Sequence, residues 1–156
     1  MRLSIIAVGG KMPAWVNDGV TEYDRRMPRE LKLNWREIPL VRRGKDTSPE
    51  LLRNREGEKI LKAIPPSEKV IALDVRGERW STEQLAQQLK RWQMSGDNYS
   101  LLIGGPDGLS QECLERASDR WSLSDLTMPH PLVRILLAEQ LYRAWTINAN
   151  HPYHRE

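Results

Sequence analysis

The chain finishes on His151-Pro152-Tyr153-His154-Arg155-Glu156, and two of its three histidines fall in those six residues. Imidazole is the side chain whose protonation changes nearest neutral pH, so it can take a proton from a reacting group. A phenol ring can stack on a flat ligand, and a guanidinium can hold an anion. Chain ends are ordinarily frayed and chemically quiet, which makes this tail a candidate site. Metal binding suits it poorly. His151 and His154 are three apart, Pro152 interrupts a regular helix between them, and no third ligand is near in sequence.

A second candidate is the run Gly104-Gly105-Pro106-Asp107-Gly108-Leu109-Ser110. Glycine lets backbone approach a ligand closely and adopts positive φ, though the same composition also suits a plain strand-to-helix turn. The spacing is not G-x-G-x-x-G, no acidic residue stands at the dinucleotide distance, and no G-K-[ST] follows. A dinucleotide or triphosphate site is therefore disfavoured. No G-x-S-x-G elbow occurs; a Ser-His-Asp arrangement built without one stays open.

These groups need elements to hold them, and the hydrophobic pattern supplies a regular alternation. Residues 2–9 read as a buried strand ending in Gly-Gly. Residues 14–27 carry Trp15, Val16, Val20, Tyr23 and Met27 at helical spacing. Residues 31–40 alternate as a strand. Ser48-Pro49-Glu50 opens a helix running to Ala63, with a serine cap and proline at its first position. Residues 69–75 form an apolar strand, after which Arg76-Gly77 turn the chain. Ser81 caps a helix through Met94. Residues 99–104 form another strand, about 110–118 a short helix, and 121–128 the last strand-like piece. Pro129-His130-Pro131 break that piece before a long helix over 132–149. Such alternation predicts a parallel-rich α/β sheet with helices on both faces, in a single domain spanning 1–156. Ligands of open α/β sheets gather outside the carboxyl ends of strands. Here those ends are Leu73-Asp74, 103–106 and 123–128.

Formal net charge is +3, with 24 Lys and Arg against 21 acids. That is mildly basic, but Arg25, Arg26, Arg29, Arg36, Arg42, Arg43 and Lys45 cluster within 25–45, either as a solvated face or as a phosphate-contacting surface. Cys113 is the sole cysteine, so no disulfide framework exists and a reduced, cytoplasmic setting is expected. No apolar run is long enough to span a membrane. The six tryptophans are expected as core or interface anchors. The last helix is apolar around much of its circumference, with Leu132, Val133, Leu136, Leu137, Leu141, Ala144 and Trp145 on one broad side. A helix of that kind needs cover on more than one side, which a subunit interface or burial within one chain would provide.

LLIGGPDGLS, WSLSDLTMPHPLVRILLAEQLYRAW and NHPYHRE together resemble the RlmH-type (YbeA-like) ribosomal RNA large-subunit methyltransferases of the SPOUT class. LSIIAVGGKMPAWV and VIALDVRGERWSTEQLA fit as well, so the resemblance covers the whole chain, most thinly from about 40 to 68. It implies a SPOUT-type fold with a deep trefoil knot near the C-terminus, which general rules of chain topology would never suggest. It also implies a homodimer, S-adenosyl-L-methionine as cofactor, no metal, and no separate RNA-binding domain. The reaction implied is methylation at N3 of a pseudouridine in helix 69 of 23S rRNA on the ribosome. Carried over residue by residue, the cofactor contacts are Leu73, Gly104 and the run Leu123, Ser124, Asp125, Leu126, Thr127 and Met128. An adenosyl group needs an apolar slot with backbone donors and acceptors, and these residue types suit one.

Methylation of a ring nitrogen that carries a proton requires that the proton leave before or during attack. His154 is the candidate base, Tyr153 the candidate stacking surface, and Arg143 or Arg155 the candidate for stabilising developing charge or holding phosphate. A packing or surface role is the alternative for each. The rival for the whole chain is a non-catalytic RNA- or ribosome-binding α/β protein, which would explain the basic stretch and the aromatic tail but not the apolar loops.

Overall fold

The computed structural model describes residues 1–155; Glu156, the last residue of the tail, lies outside the described residues. Five strands form one sheet: β1 (Arg2–Val8), β2 (Lys32–Ile38), β3 (Lys69–Arg79), β4 (Tyr99–Ile103) and β5 (Asp119–Ser122). Their order is β2-β1-β4-β3-β5, and each pairing is parallel. Helices α1 (Ala14–Asp24), α2 (Pro49–Ala63), α3 (Thr82–Ser95), α4 (Gln111–Arg116) and α5 (His130–Asn148) connect or follow the strands, and a 3₁₀ turn spans Pro152–Arg155.

The period-2 alternation of β1 sorts the helices between the two faces. Leu3, Ile5 and Ala7 enter a core with Leu85, Leu89 and Trp92 of α3 and Leu137, Leu141 and Ala144 of α5. Ile6 and Val8 point the other way, into a smaller core with Ile60 of α2 and Cys113 of α4. The central strand β4 is buried at all five residues, as a parallel strand covered on both faces must be. Ser48, Ser81 and Ser110 each cap the following helix by accepting a backbone N–H, from Leu51, Gln84 and Cys113 respectively. Each such cap contributes about 1 kcal/mol.

Three boundaries differ from the sequence pattern, and each difference bears on the site. The chain does not turn away at Arg76-Gly77; β3 continues to Arg79 after a bulge. Residues 121–128 are not one strand, since β5 spans Asp119–Ser122 and 123–129 form a loop. Pro129-His130-Pro131 do not interrupt the chain but start α5, with Pro129 at the N-cap and Pro131 in the first turn. A proline there forfeits no helical hydrogen bond.

The breadth of apolar surface on α5 also has its explanation inside one chain. Leu137, Ala138, Leu141 and Ala144 are completely buried, with α1 and α3 packed against this helix. Leu137 and Leu141 are therefore core residues and not interface residues; of the predicted face, Leu132 is the one that stays exposed, at 46%. Among the described residues no helix is long and apolar enough to cross a membrane.

Candidate active site

Trp121 pairs in register with both Leu73 and Glu78, so Asp74–Gly77 bulge out of the β3–β5 ladder. Gly77 permits this. A Cβ there would lie 2.6 Å from the Arg120 carbonyl carbon, a separation no side chain tolerates. The bulge forms one wall of a cavity of about 430 Å³ at the carboxyl ends of the strands. The second wall is the loop after β4. Gly105 and Gly108 bridge each other, the Gly108 N–H donates to the Gly105 carbonyl at 2.9 Å, and Gly108 has φ of 82°. The third wall is the loop 123–128, and the first turn of α5 closes the cavity with His130 and Val133. The buried Trp121 lines the same space, with Trp80 stacked on it at 5.2 Å.

Seven of the eight predicted cofactor contacts line this one cavity: Leu73, Gly104, Leu123, Ser124, Leu126, Thr127 and Met128. Asp125 does not. Its carboxylate turns outward to Arg79 Nε at 2.8 Å and is 67% exposed. Leu126 projects with 75% of its surface exposed, beside an equally exposed Val75 (77%), so the mouth carries an apolar rim. Gly104 does more than admit a ligand. A Cβ on it would meet the Gly108 carbonyl carbon at 2.6 Å, so the residue is required by the loop's own backbone.

The tail residues lie elsewhere. Tyr153 packs on Tyr142 with ring centroids 4.8 Å apart, and Arg143 and Arg26 sit over its ring at 5.0 and 5.8 Å. Its hydroxyl donates to Glu139 Oε1 at 3.2 Å, and the same oxygen accepts from Arg143 Nε at 2.8 Å. The ring predicted to stack on a base is thus engaged by its own chain, anchoring the tail. His151 Nδ1 accepts the Tyr153 N–H at 3.2 Å, and His154 is half-buried with Nδ1 free of any hydrogen bond. None of Arg143, Tyr153 and His154 lines the cavity. Glu139, which the tail reaches, is nine residues along α5 from His130, or about 14 Å at the helical rise. Within one chain, the two candidate halves are held apart.

Among the described residues no cluster of three or more His, Cys, Asp or Glu could hold a metal ion. The arginine-rich stretch is partly committed. Arg25 and Arg26 pair with Glu22, Arg36 donates to the Ala63 carbonyl, and Arg43 pairs with Asp107 at 2.6 Å. Arg29, Arg42 and Lys45 are exposed.

Residues 1–154 match the family model described as "Predicted SPOUT methyltransferase". The chain belongs to the SPOUT methyltransferase family. It is 59% identical over 156 residues, the full length of both chains, to "Ribosomal RNA large subunit methyltransferase H" of Hahella chejuensis. Proteins of the same name from Marinomonas sp. and Stutzerimonas stutzeri are 56% and 52% identical, each aligned over 99% of this chain and all of the relative. Among solved structures, a methylase-family protein from Haemophilus influenzae aligns with a TM-score of 0.55 at 13% identity, covering 97% of this chain and 67% of its own. One from Neisseria gonorrhoeae gives 0.53 at 14%, covering 90% and 81%. At such identities the structural likeness bears on the fold alone.

Two groups around the pocket of this SPOUT chain, Glu56 and His130, escape a reading of its sequence, and a third, Asp74, is marked there only as a strand end. Asp74 lines the cavity from the β3 bulge, with one carboxylate oxygen buried and without a hydrogen bond. Glu56 of α2 is 1% exposed and lies beneath the loop after β4, 3.2 Å from where a Gly105 Cβ would be. His130, in a segment that reads as a break, faces the cavity. Burial and the neighbouring Arg134 push its imidazole below the usual histidine range. A charged residue one helical turn from a histidine, as Arg134 is from His130, was the one available signal.

Proposed function

We propose that this chain is an S-adenosyl-L-methionine-dependent methyltransferase of large-subunit ribosomal RNA, methylating N3 of a pseudouridine in helix 69 of 23S rRNA on the ribosome. The observation that carries the reading is the convergence of Leu73, Gly104, Leu123, Ser124, Leu126, Thr127 and Met128 on one cavity of about 430 Å³. That volume lies within the range of about 300–1,000 Å³ usual for ligand pockets. The residues present fit the cofactor. Leu73, Ile103, Leu123, Met128 and Val133 offer an apolar slot for adenine, the glycine loop offers backbone groups, and Asp74 offers a carboxylate to a cationic tail. When bound, the cofactor supplies a methyl group on a sulfonium, ready for attack by a nucleophile in line. The chain's own work is then to exclude water, orient the acceptor and accept its proton.

The same reading takes residues 1–156 as one SPOUT domain, working in the cytoplasm, with the 123–128 loop and α5 forming the knotted end. Support for the knot is the convergence of three chain segments, 73–75, 103–109 and 123–128, against the start of α5. It takes the chain as a homodimer whose active site joins the pocket of one copy to the tail of the other. Two findings support this: the separation of tail and pocket along α5, and the exposed apolar residues Val75 and Leu132 near the pocket. His154 is then the group that accepts the proton, with Arg143 or Arg155 facing the developing charge and Arg29, Arg42 and Lys45 meeting RNA phosphates. Calorimetry with S-adenosylhomocysteine tests the pocket, and mass spectrometry of 23S rRNA from cells with and without the protein tests the reaction. No binding, or an unchanged nucleoside, refutes the corresponding half. Binding of RNA without binding of S-adenosylhomocysteine would return the chain to a non-catalytic RNA-binding role.

A further inference from the structure

We infer that Arg134 is a positioning residue for the cofactor pocket, its buried guanidinium clamping His130 in one neutral tautomer so that the imidazole keeps its place in the cavity lining it shares with Gly104. The inference rests on the cofactor reading of the cavity given above. Arg134 is 4% exposed, on the second turn of α5. Its Nη1 donates to Glu37 Oε1 of β2 at 2.7 Å, and its Nε donates to His130 Nε2 at 3.0 Å. A guanidinium has donors only. His130 Nε2 must therefore carry a lone pair, which leaves the proton of the neutral ring on Nδ1. The imidazole lines the cavity together with Gly104, in the loop that forms the facing wall. The result is a chain of contacts from the edge strand β2, through the start of α5, to the imidazole that lines the cofactor cavity.

Room for the clamp is provided by Gly9 after β1. A Cβ there would come within 3.0 Å of Arg134 Nη2 and 3.4 Å of His130 Nε2. The charged groups that act on His130 are Arg134 from its own helix and Glu37 from β2. The loops after β1 and β4 present backbone at Gly9 and Gly104. Across the cavity, Asp74 from β3 is the acid that shares its lining, while Asp125 of the 123–128 loop is turned out to Arg79. Protonation of His130 would set an N–H against an N–H of Arg134, breaking the clamp. Loss of a merely structural arginine would lower the stability of the fold without making the pocket sensitive to the imidazole's charge.

The test has two arms. Nitrogen-15 spectra of the histidine rings in the ligand-free protein should show His130 as the Nδ1–H tautomer, still neutral below the ordinary midpoint of about 6.5. Calorimetry with S-adenosylhomocysteine should show little change in wild-type affinity across that midpoint. Arg134→Met should make affinity fall about tenfold from about pH 7.5 to 5.5, as an ordinary histidine takes up its proton. In the double variant Arg134→Met with His130→Asn, whose amide cannot titrate, that fall should vanish. An Nε2–H tautomer, or the same pH profile in wild type and Arg134→Met, overturns the inference. If wild-type protein fails to bind S-adenosylhomocysteine, the cofactor reading falls instead. The tautomer, read on the free protein, still decides the clamp in that case, and also if Arg134→Met does not fold.

Discussion

Glu139 Oε1 accepts from both the Tyr153 hydroxyl and the Arg143 guanidinium, at 3.2 and 2.8 Å, so one carboxylate of α5 fastens the C-terminal tail to the body of the protein. Burial, and then the nearby Glu139 charge, push the Tyr153 phenol up to about 12. Absorbance titration should therefore find one tyrosine ionising well after the ordinary value near 10. The sign follows from linkage. Between about 10 and 12 the folded state holds a proton that the unfolded state has lost, so Tyr153 contributes stability below that window and loses it as pH rises through it. Tyr153→Phe should leave Tm nearly unchanged near neutral pH and remove the late titration.

Gly104→Val should damage more than the cofactor contact. The added Cβ would press on the Gly108 and Leu109 backbone at 2.6–2.8 Å, with no flexible side chain to give way. Affinity for S-adenosylhomocysteine should disappear and Tm should fall with it, both measured on one preparation. Retained Tm with lost binding would mean that the loop accommodates the side chain and the clash is with the ligand alone.

Leu126→Ala separates binding from folding more cleanly. Leu126 is 75% exposed, so the substitution should change stability by no more than about 0.5 kcal/mol. It stands on the rim of the cavity, however, and a bound adenosyl group would use its apolar surface. Calorimetry should show weaker S-adenosylhomocysteine binding at unchanged Tm. Wild-type affinity would place the ligand deeper, away from the 126–128 turn.

Leu137→Glu and Leu132→Glu should behave differently although both lie on α5. Leu137 has no exposure and lies in the core with α3, so a glutamate there buries an unpaired charge and should unfold the chain. Leu132 is exposed at the start of the helix, and its replacement should leave circular dichroism intact. If the dimer forms through this end of α5, light scattering should then report monomers.

The alternation of β and α elements was legible because period-2 and period-3.6 patterns rarely mimic each other, and the serine caps at 48 and 81 fixed two helix starts. What was hidden depends on pairing between segments far apart in sequence. The bulge at Asp74–Gly77 exists because Trp121 takes two partners on β3, and nothing in KVIALDVRGER announces a partner 40-odd residues away. His130 and Arg134 suffer the same blindness. PHP reads as punctuation until the fold places its histidine in a cavity and its neighbouring arginine against Glu37 of β2. The pocket residues, by contrast, were placed by family resemblance, and seven of the eight meet. Glu156, the last residue of the tail, lies outside the described residues.

The separation of tail and pocket along α5 makes complementation between defective subunits the decisive experiment for a shared active site. His154→Ala spoils the tail and leaves the pocket intact; Gly104→Val spoils the pocket and leaves the tail intact. In a mixed dimer whose sites combine one copy's pocket with the other's tail, one site receives both defects and the other receives none. Random pairing makes about half the dimers mixed, each with one sound site, so mixing the two inactive proteins under exchange should restore about a quarter of wild-type methylation. If pocket and tail of a single chain met in one site, every site in the mixture would carry a defect and no activity would return. Single-turnover assays on the mixture, with S-adenosylhomocysteine affinity of His154→Ala shown to match wild type, therefore read out directly whether HPYHRE serves its own pocket or its neighbour's.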